Sequence, residues 1–370
     1  MRILVSGGAG FIGSHTVDAL LRRGHQVRAF DALTPPVHST GRRPVYLAPE
    51  AELVVGDVRR GEDWRRALAG VDAVLHLAAY QDYLLDFSRF AHVNDVGTAL
   101  LYEVVVADRL PLQRVVVGSS QAVYGEGCYH CPVDGPQFPG PRDLDGLQHG
   151  RWEIACPRCG GPMEPGWTAE GALAPHNQYA VSKYAQELYA RTLGRLHGIP
   201  TVVLRYSIVQ GPRQSPSNAY SGVLRIFATR LIRGLPPIAY EDGRQVRDYI
   251  AIGDVVEANL LALEGRTADD EVYNVGGDRS VTVLEYAEML SRLLGTDLAP
   301  QVRGEFRLGD VRHIRSDVTK LKALGWRPKT DLTQVAGAYV AWLRAQGDRH
   351  DYTEEALTHM RGLGVLRRAE

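Results

Sequence analysis

The stretch Arg2-Ile3-Leu4-Val5-Ser6-Gly7-Gly8-Ala9-Gly10-Phe11-Ile12-Gly13 decides the fold. Its short apolar run at 3–5 reads as a buried strand, and the glycines that follow read as a turn. From 11 to 23 the apolar residues recur at helical spacing, ending at Gly24. A dinucleotide pyrophosphate needs backbone at close approach and free N–H groups at a helix start, where the helix dipole favours anions. Gly7, Gly10 and Gly13 meet the first need, and the helix opened by Phe11 and Ile12 meets the second. A second strand at 26–30 closes on Asp31, whose carboxylate is placed for the adenosine ribose hydroxyls and opposes a 2′-phosphate. NAD is therefore expected over NADP, with Arg28 and Arg42 or Arg43 as the contrary signals. Asp57 and Val58 follow a third strand at 53–55, where Asp57 can hold the adenine amino group.

Outward from this turn the first half alternates strands with helices. Helical spacing appears at 63–68, 93–107 and 178–196, and buried strands at 73–77, 114–117 and 201–205. That alternation predicts an α/β Rossmann-type doubly wound parallel sheet. The chain has 370 residues, long enough for two to three units. The expected division is a dinucleotide-binding domain at 1–125 and 175–210, a four-Cys insertion at 126–174, and a smaller α/β substrate domain at 211–345. About 243–265 returns to the Rossmann part, and 346–370 is a charged, partly helical tail. Lys+Arg is 42 against Asp+Glu 43, which argues against nucleic acid. No apolar run is long enough to span a membrane, and with a buried strand opening at residue 2 no secretory signal is expected. A reducing cytoplasm is expected.

Two constellations carry chemistry. Tyr179 and Lys183 stand at i and i+4 in QYAVSK, sharing one helix face. An ammonium beside a phenol favours phenolate and draws its pKa down from about 10, so Tyr179 can act as a general base. Ser120 follows the fifth strand, at the sheet edge where ligands bind in this architecture. The other constellation is Cys128-x-x-Cys131 and Cys156-x-x-Cys159, which hold all the cysteines of the chain. Two such pairs can present four sulfurs to a structural Zn2+, whose binding would supply the folding energy of a unit without an evident core. The insertion lies between the Ser120 strand and the Tyr179 helix, so it emerges beside the active-site mouth.

These pieces together resemble the extended short-chain dehydrogenase/reductase family, the NAD-dependent nucleotide-sugar epimerases and dehydratases. The resemblance covers residue 1 to about 345 apart from the insertion. It rests on GGAGFIG at 7–13, Asp31, GDV at 56–58, HLAA at 76–79, Asn94 with Gly97-Thr98, SSQAVYG at 119–125 and QYAVSK at 178–183. It continues with LRY at 204–206, GPRQ at 211–214 and GRQVRDYIAIGDVV at 243–256. The resemblance implies that Leu77, Ala78, Ala79, Asn94 and Tyr206 join the cofactor site. Tyr179 would take a proton from a sugar C4 hydroxyl, Lys183 would hold the nicotinamide ribose, and Ser120 would bond the same sugar oxygen. Arg213, Arg247 and Arg312 would face the substrate, the last two on its diphosphate. Tyr80, Gln81, Tyr83, His176 and Asn177 are candidate sugar contacts.

Two departures refine the expectation. Where dehydratases of the family carry Asp-Glu, this chain has Gln121-Ala122; where relatives commonly carry an amide, it has Ile208. The expected activity is thus a nucleotide-sugar 4-epimerase passing through a 4-keto intermediate. A dehydratase or net oxidoreductase is the alternative, and a non-catalytic NAD-binding scaffold with a zinc-ribbon partner site is a second. A homodimer through the helices near 93–107 and 179–196 is the family's common assembly.

Overall fold

Seven strands, all parallel, build the central sheet in the order Val272–Val275, Thr201–Tyr206, Arg114–Ser120, Ala73–His76, Arg2–Ser6, Gln26–Asp31, Glu52–Val55. This computed structural model describes every residue except 36, 39, 219–221, 266 and 348–349. The inner strands are near-continuous Val, Ile and Leu because helices cover both faces. Alternation within a strand sorts the side chains. Ile3 and Val5 pack with Val17 and Leu20 of helix Phe11–Arg22 and Val255 of helix Ile252–Leu263. Leu4 faces the opposite layer, with Trp64, Leu101, Val105 and Ala190.

The expected doubly wound sheet is present, and strand order reverses between Arg2–Ser6 and Ala73–His76. Ligands of such sheets bind at this switch point, outside the carboxyl ends of the strands. The return to the sheet runs further than 243–265, because helix Ile252–Leu263 leads into Val272–Val275, the outermost strand.

A second core gathers Leu224, Phe227, Tyr286, Leu290 and Tyr339 from helices Val223–Ile232, Val283–Leu294 and Leu332–Ala345. These cover the three-stranded sheet of Ile208–Gln210, Val246–Ala251 and Ser280–Thr282. The tail folds onto this half: strand Leu366–Arg368 pairs antiparallel with Glu305–Arg307, and Leu357 and Met360 pack near Ile238 and Tyr240. The insertion is a three-stranded antiparallel sheet of Gly135–Gln137, Tyr129–Cys131 and Glu164–Pro165. Its buried apolar cluster is only Tyr129, Cys131, Cys156 and Met163, too small to hold it by burial alone.

Candidate active site

The glycine turn is a cradle that side chains would fill. Gly7 has φ +66°, and a Cβ there would meet Ala78 N at 2.9 Å; one on Gly13 would lie 2.1 Å from Gly7 O. The following helix starts at Gly10 with no side-chain cap and no acid in its first turn, so its N–H groups face outward to an anion. Asp31 closes the far side, accepting from Ala9 N at 3.0 Å and Leu33 N at 2.9 Å. These features fit a dinucleotide. Two of the contrary arginines are engaged elsewhere: Arg28 donates to Ala67 O at 2.6 Å and Ala69 O at 2.9 Å, and Arg43 to Ala51 O at 3.1 Å. Asp57 is clamped by Arg59, which holds its carboxyl below the usual range against the cost of burial. Val58 packs under Gly97.

Beneath the cradle runs a buried polar chain. Ser6 Oγ accepts from the N–H groups of Leu77 and Ala78, both at 3.1 Å, which leaves its own proton for His76 Nδ1 at 2.6 Å. His76 Nε2 then donates to Thr98 Oγ1 at 3.0 Å. Burial holds this ring neutral, its pKa near 3. Thr98 also accepts from Gln186 Nε2 at 2.9 Å, and Gln186 Oε1 accepts from Lys183 Nζ. Gln186 was not singled out from sequence; its place one turn after Lys183 is the only signal for it. Asn94, expected at the cofactor, sits in a π turn, Ala91–Val96. Its amide brackets the Tyr80 backbone (2.8 and 3.1 Å) and donates to Ser182 Oγ at 2.8 Å. It ties the segment carrying Ala79 to the Tyr179 helix. Tyr206 donates to Asn259 Oδ1 at 2.6 Å behind Gly118.

Tyr179 opens the helix Gln178–His197, capped by Asn177, whose Oδ1 accepts from Ala180 N at 2.8 Å. Tyr179 and Ser120 line one cavity with Phe11, Ile12 and Tyr206, so the catalytic and cofactor faces meet. The phenol does not show the expected fall in pKa. Burial pushes it up to about 12, with Ser120 hydrogen-bonding to the phenol and pulling the other way. Lys183, on the same helix face and buried, donates to Gly118 O at 2.5 Å and to Gln186. Burial lowers its own pKa to about 8.

The substrate side of the cavity is lined by Gln81, Asp82, Tyr83, Asn177, Gln178, Ile208, Arg225, Arg247 and Asp310, among others. Ala122 and Gln121 lie in its wall, and no acid occupies those positions. Three expected contacts are corrected. Tyr80 turns its hydroxyl to Asp86 Oδ2 at 2.7 Å, with Phe90 against its ring, and does not line the cavity. Arg213 pairs with Asp18 at 2.7 Å and lies over Tyr46, whose hydroxyl donates to Ala9 O, so it flanks the glycine turn instead. Arg312 is fully buried: its Nε, Nη1 and Nη2 groups all donate to Glu153, Glu241 and Asp242. Every N–H of that guanidinium is engaged, so none remains for a phosphate. Arg247 does line the cavity, held by Arg312 O at 2.8 Å, Val311 O at 2.9 Å and Asp310 at 3.4 Å. His176 sits under Gly125. Arg225 and Asp82 were missed, because neither stands in a motif.

The four cysteines do not converge as two pairs. The groups that meet are Cys131, Cys156 and Cys159 with Asp134, their ligand atoms all within 4.8 Å of one another. Cys128 stands outside, its Sγ 3.8 Å from Tyr129 O. Cys128 lies before the strand Tyr129–Cys131, whereas Cys131, buried at that strand's end, faces the cluster.

Comparison with known proteins follows the same outline. The sequence matches the NAD dependent epimerase/dehydratase family over residues 3–141 and 158–276. It is 34% identical to the dTDP-L-rhamnose 4-epimerase of Burkholderia thailandensis, across 94% of this chain and 96% of that one. The UDP-glucose 4-epimerase of Thermotoga maritima, solved with UDP-glucose, superposes with a TM-score of 0.77 at 32% identity, covering 94% and 100% of the two chains. The UDP-glucose 4-epimerase of Thermus thermophilus, solved with NAD, gives 0.72 at 31%, covering 93% and 99%.

Proposed function

Because the chain belongs to the NAD-dependent epimerase/dehydratase family, we propose that it is a nucleotide-sugar 4-epimerase working through a transient 4-keto sugar. It is an enzyme of that family, with NAD as cofactor and a nucleotide sugar as substrate. The observation that carries the finer reading is the cavity wall beside Tyr179. Gln121 and Ala122 stand there, and neither can donate or take a proton in an elimination, whereas inversion at C4 needs no further acid.

Gly7, Gly10, Gly13 and Asp31 would hold NAD, with Lys183 available to its nicotinamide ribose, and the bound cofactor would supply a reversible hydride acceptor and a positive charge. Tyr179 takes the proton of the C4 hydroxyl and returns it to the C4 oxygen after the keto sugar has turned. Ser120 bonds that oxygen and steadies the phenolate. Lys183 favours the phenolate by its charge, and the chain from Gln186 to His76 fixes where the ammonium sits. Arg247, its Nη groups held by the Val246, Val311 and Arg312 carbonyls and by Asp310, orients the diphosphate by its charge and its Nε donor. Ile208 and Val209 give this stretch of the cavity an apolar surface.

A single observation favours a second reading. Asp82 lines the same cavity, and burial raises the pKa of its carboxyl. A carboxyl of that kind can serve 4,6-elimination. Incubating the NAD-loaded enzyme with a panel of UDP- and dTDP-sugars separates the two: the proposal expects C4 epimers with no net NADH. A 4-keto-6-deoxy product supports the Asp82 reading, and accumulating NADH an oxidoreductase.

The same proposal includes a structural zinc ion on the insertion thiols, a homodimer and a cytoplasmic location. The clustered Cys131, Cys156 and Cys159 support the zinc. For the dimer, Val181, Leu188 and Leu196 are exposed at helical spacings of seven and eight on one helix, beside exposed Val96 and Val106 on its neighbour. No helix among the described residues is long and apolar enough to cross a membrane.

A further inference from the structure

The insertion contains two matching turns. One is Cys131-Pro132-Val133-Asp134-Gly135, the other Cys156-Pro157-Arg158-Cys159-Gly160. Both end on a glycine of positive φ, +70° at Gly135 and +73° at Gly160. In the first, Asp134 N donates to Cys131 Sγ at 3.4 Å, folding the turn around the sulfur. In the second, Gly160 N donates to Cys156 O at 2.9 Å. Asp134 thus occupies in one turn the place that Cys159 holds in the other.

The four ligand atoms lie within 4.8 Å of one another, and three of their separations come close to those around a single tetrahedral ion. Zinc–sulfur bonds of about 2.3 Å and zinc–oxygen bonds of about 2.0–2.2 Å put tetrahedral sulfurs roughly 3.8 Å apart and sulfur and oxygen roughly 3.6 Å apart. Cys131 Sγ lies 3.6 Å from Cys159 Sγ and 3.7 Å from Asp134 Oδ2, and Cys156 Sγ lies 3.3 Å from the same oxygen. Cys128 precedes the strand Tyr129–Cys131, and its Sγ lies against Tyr129 O at 3.8 Å, outside the group of four ligand atoms.

Resting on the zinc reading above, we propose that the ion is bound by three thiolates and one carboxylate, Cys131, Asp134, Cys156 and Cys159, and that Cys128 is not a ligand. Four protein ligands close the coordination sphere, so the site is structural. Its second turn lies three residues beyond Glu153, which binds Arg312 and, through Oε2, His313 at 3.0 Å. The ion therefore anchors the insertion directly beside the segment 310–314, whose Asp310, Val311 and Ile314 line the substrate cavity.

The test is the zinc content of the purified full-length protein, with its cobalt-substituted spectrum, for wild type, Cys128→Ser, Asp134→Ala and Asp134→Cys. Wild type and Cys128→Ser are expected to carry one zinc per chain. Asp134→Ala should release it to a chelator more than about 100-fold faster, since even outer-shell partners are worth 10–100-fold. Asp134→Cys should keep it and strengthen the cobalt–thiolate absorption by one further sulfur. The wild-type cobalt spectrum gives the thiolate count even if Asp134→Ala fails to fold. Loss of zinc from Cys128→Ser, with retention in Asp134→Ala, overturns the ligand set alone. A wild-type protein without zinc overturns the ligand set and the zinc reading together; the sugar-product assay is separate from both.

Discussion

Tyr179 shows how a residue's chemistry depends on what surrounds it. In the protein alone its phenol is protonated at any ordinary pH, with a pKa near 12. Replacing it with Phe should cut turnover about 10²–10⁴-fold, the usual worth of a positioned acid–base group, while NAD affinity by fluorescence stays within about twofold. Wild-type turnover in that variant refutes its role. The two arginines separate in the same way. Arg247→Ala should raise KM for the nucleotide sugar more than it lowers kcat. Arg312→Leu should instead cost stability, on the order of 3 kcal/mol, because it removes a buried cation from Glu241 and Asp242 and leaves buried Glu241 with Arg142 alone. Urea melts and KM values check both. Glu126 gives the pH dependence. Burial raises its carboxyl from 4.5 to about 7, against the pull of Arg142. A group whose pKa is raised in the fold stabilises it fully below the unfolded value and loses that contribution as pH rises through the folded one. The melting temperature of wild type should therefore fall relative to Glu126→Gln between about pH 5 and about pH 8; a constant difference contradicts this.

Among the elements, those that repeat were legible and those that do not were hidden. The parallel strands announced themselves as apolar runs, and the helix Gln178–His197 by its spacing and its stop at Gly198. The insertion was recognised by its break in rhythm and its cysteines, but strands of two or three residues carry no period to read. Where that strand starts decides which thiol joins the cluster, and strand ends come from backbone pairing; the spacing of a Cys-x-x-Cys pair carries no sign of it. Arg312 was misread for a related reason: an Arg in GDVRH carries no sign of whether carboxylates from 153, 241 and 242 will surround it. The insertion meets the cavity through Arg142, which donates to Glu241 Oε1 at 2.8 Å and Asp310 O at 3.0 Å. Replacing residues 128–165 with a short glycine linker should raise KM for the sugar nucleotide more than about tenfold and leave NAD affinity unchanged. Unaltered kinetics on the true substrate contradict a role at the mouth.

For the whole molecule, the sheet sets the division of labour. One half of its carboxyl edge offers the glycine cradle and Asp31; the other carries Ser120 and faces the cavity closed by the second core. The family's outline was readable from ordered motifs along the chain, whereas the substrate was not, because the cavity wall is assembled from isolated residues such as Asp82 and Arg225. Leu188→Glu, placing a charge on the exposed apolar stripe, should convert a dimer to a monomer in sedimentation; an unchanged mass removes that face as the interface. The central claim is inversion at C4 and nothing else, and a substrate deuterated at C4 tests it most directly. The account predicts that the product is the C4 epimer with its deuterium still on C4. Deuterium found at C6 of a dehydrated sugar, or carried off in free NADH, would contradict it.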